Sequence, residues 1–244
     1  MISLTSVAAA FPIRKPLVSV TRALALTLAL GSTARAQTSI GAALTTSVGP
    51  LTRGASGFQS FGQSFTAPAL APQLASFSLS FSNFFNGGAL KFDAYLYAFD
   101  AANRRVTGSA LWSFLNIAGS SNDFAFDTKT FATGNLTLTP SATYLFLITT
   151  SNQSAVPGDA SNLVGANDTD AYAGGSFWIA TNGTSTAGLF AAGAFAAVDG
   201  VSDANFAAVF LSDAQVVPEP RALLLFGAGF CALLACSARR RKAL

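Results

Sequence analysis

Histidine is absent from all 244 residues, glutamate and methionine each occur once, and cysteine occurs twice. Without histidine the commonest general base is missing, and with it the Ser/His and Cys/His nucleophile pairings and most zinc sites. No Gly-x-Ser-x-Gly elbow is present, so a serine nucleophile has nothing to activate it. Both cysteines, Cys231 and Cys236, lie in a C-terminal apolar run. No disulfide therefore staples the remainder, and a packed core must hold it together. Charge is scarce too, at 10% of residues, against roughly 25% in a typical soluble domain. Ten aspartates, mostly beside turns, make a poor case for a glycosidase's acid and base pair.

What charge there is sits at the ends. The formal net charge is +3, but Arg14, Lys15, Arg22 and Arg35 belong to the first 36 residues, and Arg221, Arg239, Arg240, Arg241 and Lys242 to the last 29. Between Gln37 and Val217 five basic residues face ten aspartates, a net of −5. A nucleic-acid partner is excluded on this ground, since counterion release needs a basic face. No cofactor motif occurs, and no cofactor is expected.

Residues 1–36 read as a secretory leader. Arg14, Lys15 and Arg22 supply the positive region, Ala23 to Leu30 the apolar core, and Ala34 and Ala36 the small residues of a cleavage site. The expected mature start is Gln37, delivered by the secretion machinery. At the other end, residues 216–244 hold Val217-Pro218-Glu219-Pro220, an apolar run over 222–238, and the basic cluster Arg239, Arg240, Arg241 and Lys242. Seventeen helical residues rise about 25 Å, at the short end of what crosses a bilayer's hydrocarbon. The basic cluster stays cytoplasmic and stops transfer, so everything before Pro218 lies outside. Pro218 and Pro220 keep the approach extended.

This tripartite arrangement resembles the PEP-CTERM sorting signal. The resemblance covers roughly Val217 to Lys242 and implies a bacterial envelope protein. It also implies processing near Pro218-Glu219-Pro220 by an exosortase, a membrane-embedded cysteine transpeptidase-like enzyme. Glu219 is the chain's only glutamate, and it stands between the two prolines.

The region between leader and anchor reads as β. Residues 37–57, rich in Ser, Thr, Gly and Ala, form a flexible entry segment or a weak first strand. Over 58–215, Ser76 to Ser82 alternates polar and apolar without error, the pattern of a strand with one wet face. Lys91 to Phe99 is a second strand. Further strands are expected at 110–115, 123–126, 134–139, 144–150, 176–180 and 205–212, with one or two helical turns within 187–197. Tyr144 to Thr149 is apolar on both faces and belongs at the centre of a sheet. Eight to ten short strands argue for a mainly β fold, a two-sheet antiparallel jelly-roll-like sandwich. An N-terminal signal helix and a C-terminal transmembrane helix flank it. Phe61 to Pro68, Leu74 to Leu79, Phe92 to Asp100 and Arg105 to Leu111 are together similar to a recurrent ectodomain of PEP-CTERM proteins. That ectodomain resembles carbohydrate-binding-module sandwiches.

Few residues stand out as sites. Asp159, Asn167, Asp168 and Asp170 share a Gly-rich loop suited to Ca²⁺, against the simpler reading of Asx turns. Tyr95, Tyr97, Trp112, Trp178 and Tyr172 offer a sugar-stacking platform, against the simpler reading of core packing. Tyr95 and Tyr97, on one face of one strand, are the better pair. Four Asn-x-Ser/Thr sequons occur, at Asn135, Asn152, Asn167 and Asn182. Three functions follow: a surface or matrix protein, a binding module for the cell's exopolysaccharide, or an enzyme with converging aspartates. The first is expected.

Overall fold

Phe77 lies flat on Phe146, ring centroids 4.1 Å apart and planes 9° from parallel, and the two residues belong to different sheets. In the computed structural model, which describes residues 36–53, 57–83, 90–153 and 161–212, two antiparallel sheets pack through such contacts. Residues 1–35, within the expected leader, the segment after Ser212 that holds the expected span, and Asp159 lie outside the described residues. Among the described residues no helix is long and apolar enough to cross a membrane.

The strands in chain order are β1 (Gln37–Ala42), β2 (Thr46–Leu51), β3 (Ser60–Thr66), β4 (Gln73–Asn83) and β5 (Lys91–Asp100). Then come β6 (Arg105–Ala118), β7 (Asp127–Thr137), β8 (Thr143–Thr149) and β9 (Asn162–Asn167). Last are β10 (Phe177–Ala180), β11 (Ala196–Ala197), β12 (Asp203–Ala204) and β13 (Phe206–Leu211). One sheet runs β1-β13-β4-β9-β12, with β7 on the far side of β4 and β2 on β9. The other runs β11-β10-β3-β8-β5-β6.

The alternation in β4 sends its apolar side chains inward as expected, but the other face is wet only in part, Ser80 and Ser82 being buried too. Phe77, Leu79 and Phe81 are buried in the core, while Ser78 and Ser80 pair with Thr130 and Thr128 across the outer face at 2.9 and 3.0 Å. Phe206, Ala208 and Phe210 of β13 extend the same inner layer. Phe61, Phe65, Phe92, Leu96, Phe146 and Ile148 meet it from the other sheet.

β8 takes the central place that its doubly apolar sequence implies, between β3 and β5. Its second face is dry for a reason the strand pattern does not contain. Leu145 and Leu147 pack with Tyr97, Phe99 and Val106 beneath Leu189 and Phe195, which arrive on the segment after β10. That segment contains a 3-10 turn, Thr186–Phe190, capped by the Ser185 hydroxyl. Backbone bonds from Gly193 to Asn103 (2.8 Å) and from Phe195 to Arg104 (3.1 Å) fasten it. A third layer thus covers the second sheet.

The structure corrects three local expectations. Of the two readings of residues 37–57, the flexible entry fails and the first strand holds: they contain β1 and β2, and β1 pairs along its whole length with β13, Gln37 opposite Leu211. Small residues hid this, because β1 is held by its backbone ladder more than by side-chain bulk. A Cβ on Gly41 would overlap the Phe206 carbonyl. Residues 123–126 are not a strand. Phe124 takes φ 58° and is 60% exposed, and the ladder with β4 starts only at Asp127. The expected helix within 187–197 is the short 3-10 turn, the rest being irregular.

Phe146 is wholly buried and touches Phe77, Phe131 and Trp112. Phe146→Ala should lower unfolding free energy by about 3–5 kcal/mol through lost burial and a residual cavity. Leu70→Ala, at a side chain 87% exposed, should stay within about 0.5 kcal/mol of the parent. Urea unfolding followed by tryptophan fluorescence checks both.

Candidate functional site

The tyrosine pair predicted as a sugar platform stands on the outer face of β5, and it is largely spoken for. Tyr97 is only 7% exposed and meets Phe190 edge-on at 5.8 Å. Tyr95 is half-buried, with ring centroids 5.8 Å from Tyr97. Its hydroxyl donates to Asp93 Oδ2 at 3.3 Å and accepts from Asn152 Nδ2 at 3.1 Å. Asp93 is buried at 3% exposure and also accepts from the Asn116 N–H at 2.8 Å and from the Gln153 amide. Burial raises both tyrosine hydroxyls above their ordinary pKa, and for Tyr95 the Asp93 charge adds to the effect. The arrangement ties residues 152–153 to the sheet.

The other aromatic candidates divide. Trp178 packs on Phe99 and donates its indole N–H to Ser64 Oγ at 3.0 Å. Tyr172 receives the Thr66 N–H and donates to the Thr66 carbonyl, with its ring edge-on to Phe206. Trp112 differs. It is half-buried on β6, an end strand of its sheet, and stacks on Phe114 at 6.4 Å and 15°. Phe114 is 57% exposed, as is Leu115, and Leu111 is 45% exposed. Across the gap stand Phe131 and, two residues back along β7, the half-buried Lys129. Sequence reasoning named Trp112 but missed Phe114. The signal was there in a Trp and a Phe two residues apart in one strand, but nothing in the chain said that β6 would lie at a sheet's edge.

The aspartate loop makes turns. The Asn167 carbonyl oxygen accepts from the Thr169 N–H at 2.8 Å and hydroxyl at 2.6 Å, an Asx turn, while its amide donates to the Ala43 carbonyl at 2.8 Å. Asp168 is exposed and accepts from the Thr45 hydroxyl at 2.8 Å. Asp170 is exposed as well. Among the described residues no three or more acidic, His or Cys side chains gather in a way that would hold a metal. Of the sequon asparagines, Asn152, Asn167 and Asn182 use their side-chain amides in hydrogen bonds. Asn135 is exposed at φ 60° beside Gly134 on β7.

Sequence reasoning also missed a polar bridge inside the core. Gln63 lies on the inner row of β3 between Phe61 and Phe65, wholly buried. Its amide donates to Asp203 Oδ1 at 2.9 Å, and its carbonyl accepts the Ala204 N–H at 2.6 Å, which joins the two sheets. Asp203 Oδ2 accepts from the Tyr172 N–H at 3.0 Å. Ala34 is outside the described residues; Ala36 lies at their start, its carbonyl accepting the Ser212 N–H at 2.9 Å.

No family model matches the chain, and no curated protein matches it. Among solved structures it is similar to the cysteine protease and lectin-like domains of Cwp84, a surface layer associated protein of Clostridium difficile. That match has 13% identity and a TM-score of 0.40, covering 64% of this chain and 32% of the other. A clostridial cysteine protease Cwp84 structure after propeptide cleavage matches at 14% identity and a TM-score of 0.44, covering 72% and 40%. Infectious bursal disease virus matches at 14% and 0.32, covering 85% and 48%. The chain spans less than half the length of each, and likenesses this slight carry no argument.

Burial raises the Asp203 carboxyl above its ordinary pKa, and the hydrogen bonds from Tyr172 and Gln63 only partly offset it. The folded state therefore binds the proton more tightly than the unfolded one. This contribution is fully present below the unfolded carboxyl's value, about 3.9, and is lost as pH rises through the higher folded value. Asp203→Asn should flatten that part of the melting-temperature profile between acid and neutral pH. Scanning calorimetry on both proteins tests this.

Proposed function

We propose that this chain is an exported bacterial envelope or extracellular-matrix protein with a structural or interaction role at the cell surface. The secretion machinery exports it, the 222–238 span holds it in the membrane, and an exosortase-type enzyme processes it near Pro218-Glu219-Pro220. The observation that carries this reading is the ordered Pro-Glu-Pro, apolar run and basic cluster, which begins six residues after Ser212. The pairing of Gln37 with Leu211 supports it. The expected cleavage point and the strand leading to the anchor share one end of one sheet, so either processing event leaves the sandwich whole. We read that sandwich as jelly-roll-like and as acting through its surfaces rather than by catalysis. The neutral Ser/Thr ladder over β4 and β7 suits such a role, and the covering of Tyr97 weighs against a tyrosine platform.

A second reading, a carbohydrate-binding module for exopolysaccharide, is favoured by the stacked and partly open Trp112–Phe114 pair. An aromatic face of this kind suits the apolar face of a pyranose. Trp112→Ala should then abolish retention of the mature protein on the host's own exopolysaccharide. Retention unchanged by the substitution leaves the first reading standing.

The sorting signal is tested by separating its parts. Neutralising Arg239, Arg240, Arg241 and Lys242 removes charges that cost roughly 3 kcal/mol each to bury in the membrane, so unprocessed protein should leak outward. Glu219→Gln keeps size and polarity but not charge, and it should leave insertion intact while blocking maturation. Fractionation and immunoblotting in a host with the processing enzyme distinguish the two. Normal maturation of a chain with Glu219, Pro218 and Pro220 all replaced by alanine overturns the reading.

A further inference from the structure

Where β4 ends, three polar side chains line up across neighbouring segments. Asn83 is the Cα partner of Asn162 on β9, directly after the buried pair Phe81 and Val164, and it bridges to Asp123 on its other side. Asn83 is 3% exposed and Asn162 not at all, while Asp123 reaches solvent. Asn162 gives its amide hydrogens to the carbonyls of Ser82 (2.9 Å) and Ser120 (3.0 Å). Asn83 gives one of its own to Asp123 Oδ1 at 2.7 Å. These acceptors fix which way each amide points, because a flipped amide would set oxygen against oxygen. Both Oδ1 atoms are then left buried with no partner.

Buried carbonyl oxygens of this kind ordinarily find a donor, and these three side chains present acceptors, two amide oxygens and a carboxylate; the other unpartnered buried atoms among the described residues are Ser82 Oγ and Arg53 Nη1. A sugar hydroxyl needs donors as well as acceptors, which makes it a poor match. A hard cation fits, since Ca²⁺ takes six to eight oxygen ligands in flexible geometry, water among them. Softer metals lack their ligands, there being no histidine in the chain and no cysteine between Gln37 and Val217. The surroundings are built for close approach. Gly119 leaves no room for a side chain against Asn162 Oδ1, and its N–H is held by the Leu90 carbonyl at 2.6 Å. Asp127, fixed by the Ser120 hydroxyl at 2.7 Å and the Asn122 amide at 2.6 Å, adds negative charge to the same loop. We propose that Asn83 Oδ1, Asn162 Oδ1 and the Asp123 carboxylate bind Ca²⁺, with water completing the shell. This site is distinct from the Asp168 loop, whose polar atoms are engaged in turns.

Calorimetric titration of the full chain in detergent with CaCl₂, and melting with Ca²⁺ or EGTA, provide the test. One Ca²⁺ should bind per chain and raise the melting temperature. Asp123→Asn keeps an oxygen for the Asn83 amide but removes the charge, so it should weaken binding by about tenfold or more with calcium-free melting unchanged. Asp168→Asn should bind as the parent does. An absence of binding, which would leave the two oxygens to buried water, overturns the proposal. So does binding indifferent to Asp123→Asn, or lost in Asp168→Asn.

Discussion

Aromatic rings pressed between two sheets carry this fold. With no cysteine between Gln37 and Val217 and little charge, the sandwich depends on apolar burial at about 25 cal/mol per Å². Phe is its main currency: Phe77 stacks on Phe146 and Phe206, Phe61 on Phe177, and Phe81 on Phe92. Phe81 and Phe92 lie on consecutive strands, but the other contacts join strands far apart in the chain, and those strands must reach their partners before most of the core is dry. The one salt bridge found among the described residues, Arg105 to Asp100 at 3.4 Å, is largely exposed and adds little.

Polar groups enter the interior only where they fasten one layer to another. The Gln63–Asp203 bridge crosses between the sheets amid phenylalanines, and a second network joins Ser60, Thr149, Ser151 and Asn182 beneath the covering segment. Each member of these networks finds a partner. Among the described residues four buried atoms break that rule: Asn83 Oδ1, Asn162 Oδ1, Ser82 Oγ and Arg53 Nη1.

The third layer changes what an aromatic residue means here. Tyr95, Tyr97 and Phe99 on alternate positions of β5 look like an exposed row when the strand is read alone. The segment carrying Leu189 and Phe195 turns most of that row into a second core. The aromatic pair left open is Trp112 with Phe114, at the rim between β6 and β7.

The amino-acid sequence alone determined the β character, the inward-facing apolar row of β4 and the central place of β8; the sorting segments expected at either end were read from local sequence in the same way. These follow from period-two alternation, apolar run length and charge placement, all local properties. Tertiary structure decided the rest. It made β1 a sheet member although its side chains are small, since its stabilisation comes from β13's backbone, some 170 residues away in the chain. It covered Tyr97 and opened Phe114, because exposure depends on what a distant segment lays over a strand. It also set Asn83, Asn162 and Asp123 side by side. Three common residues dispersed over 80 positions become a candidate site only when the pairing of β4 with β9 and with residue 123 makes them neighbours.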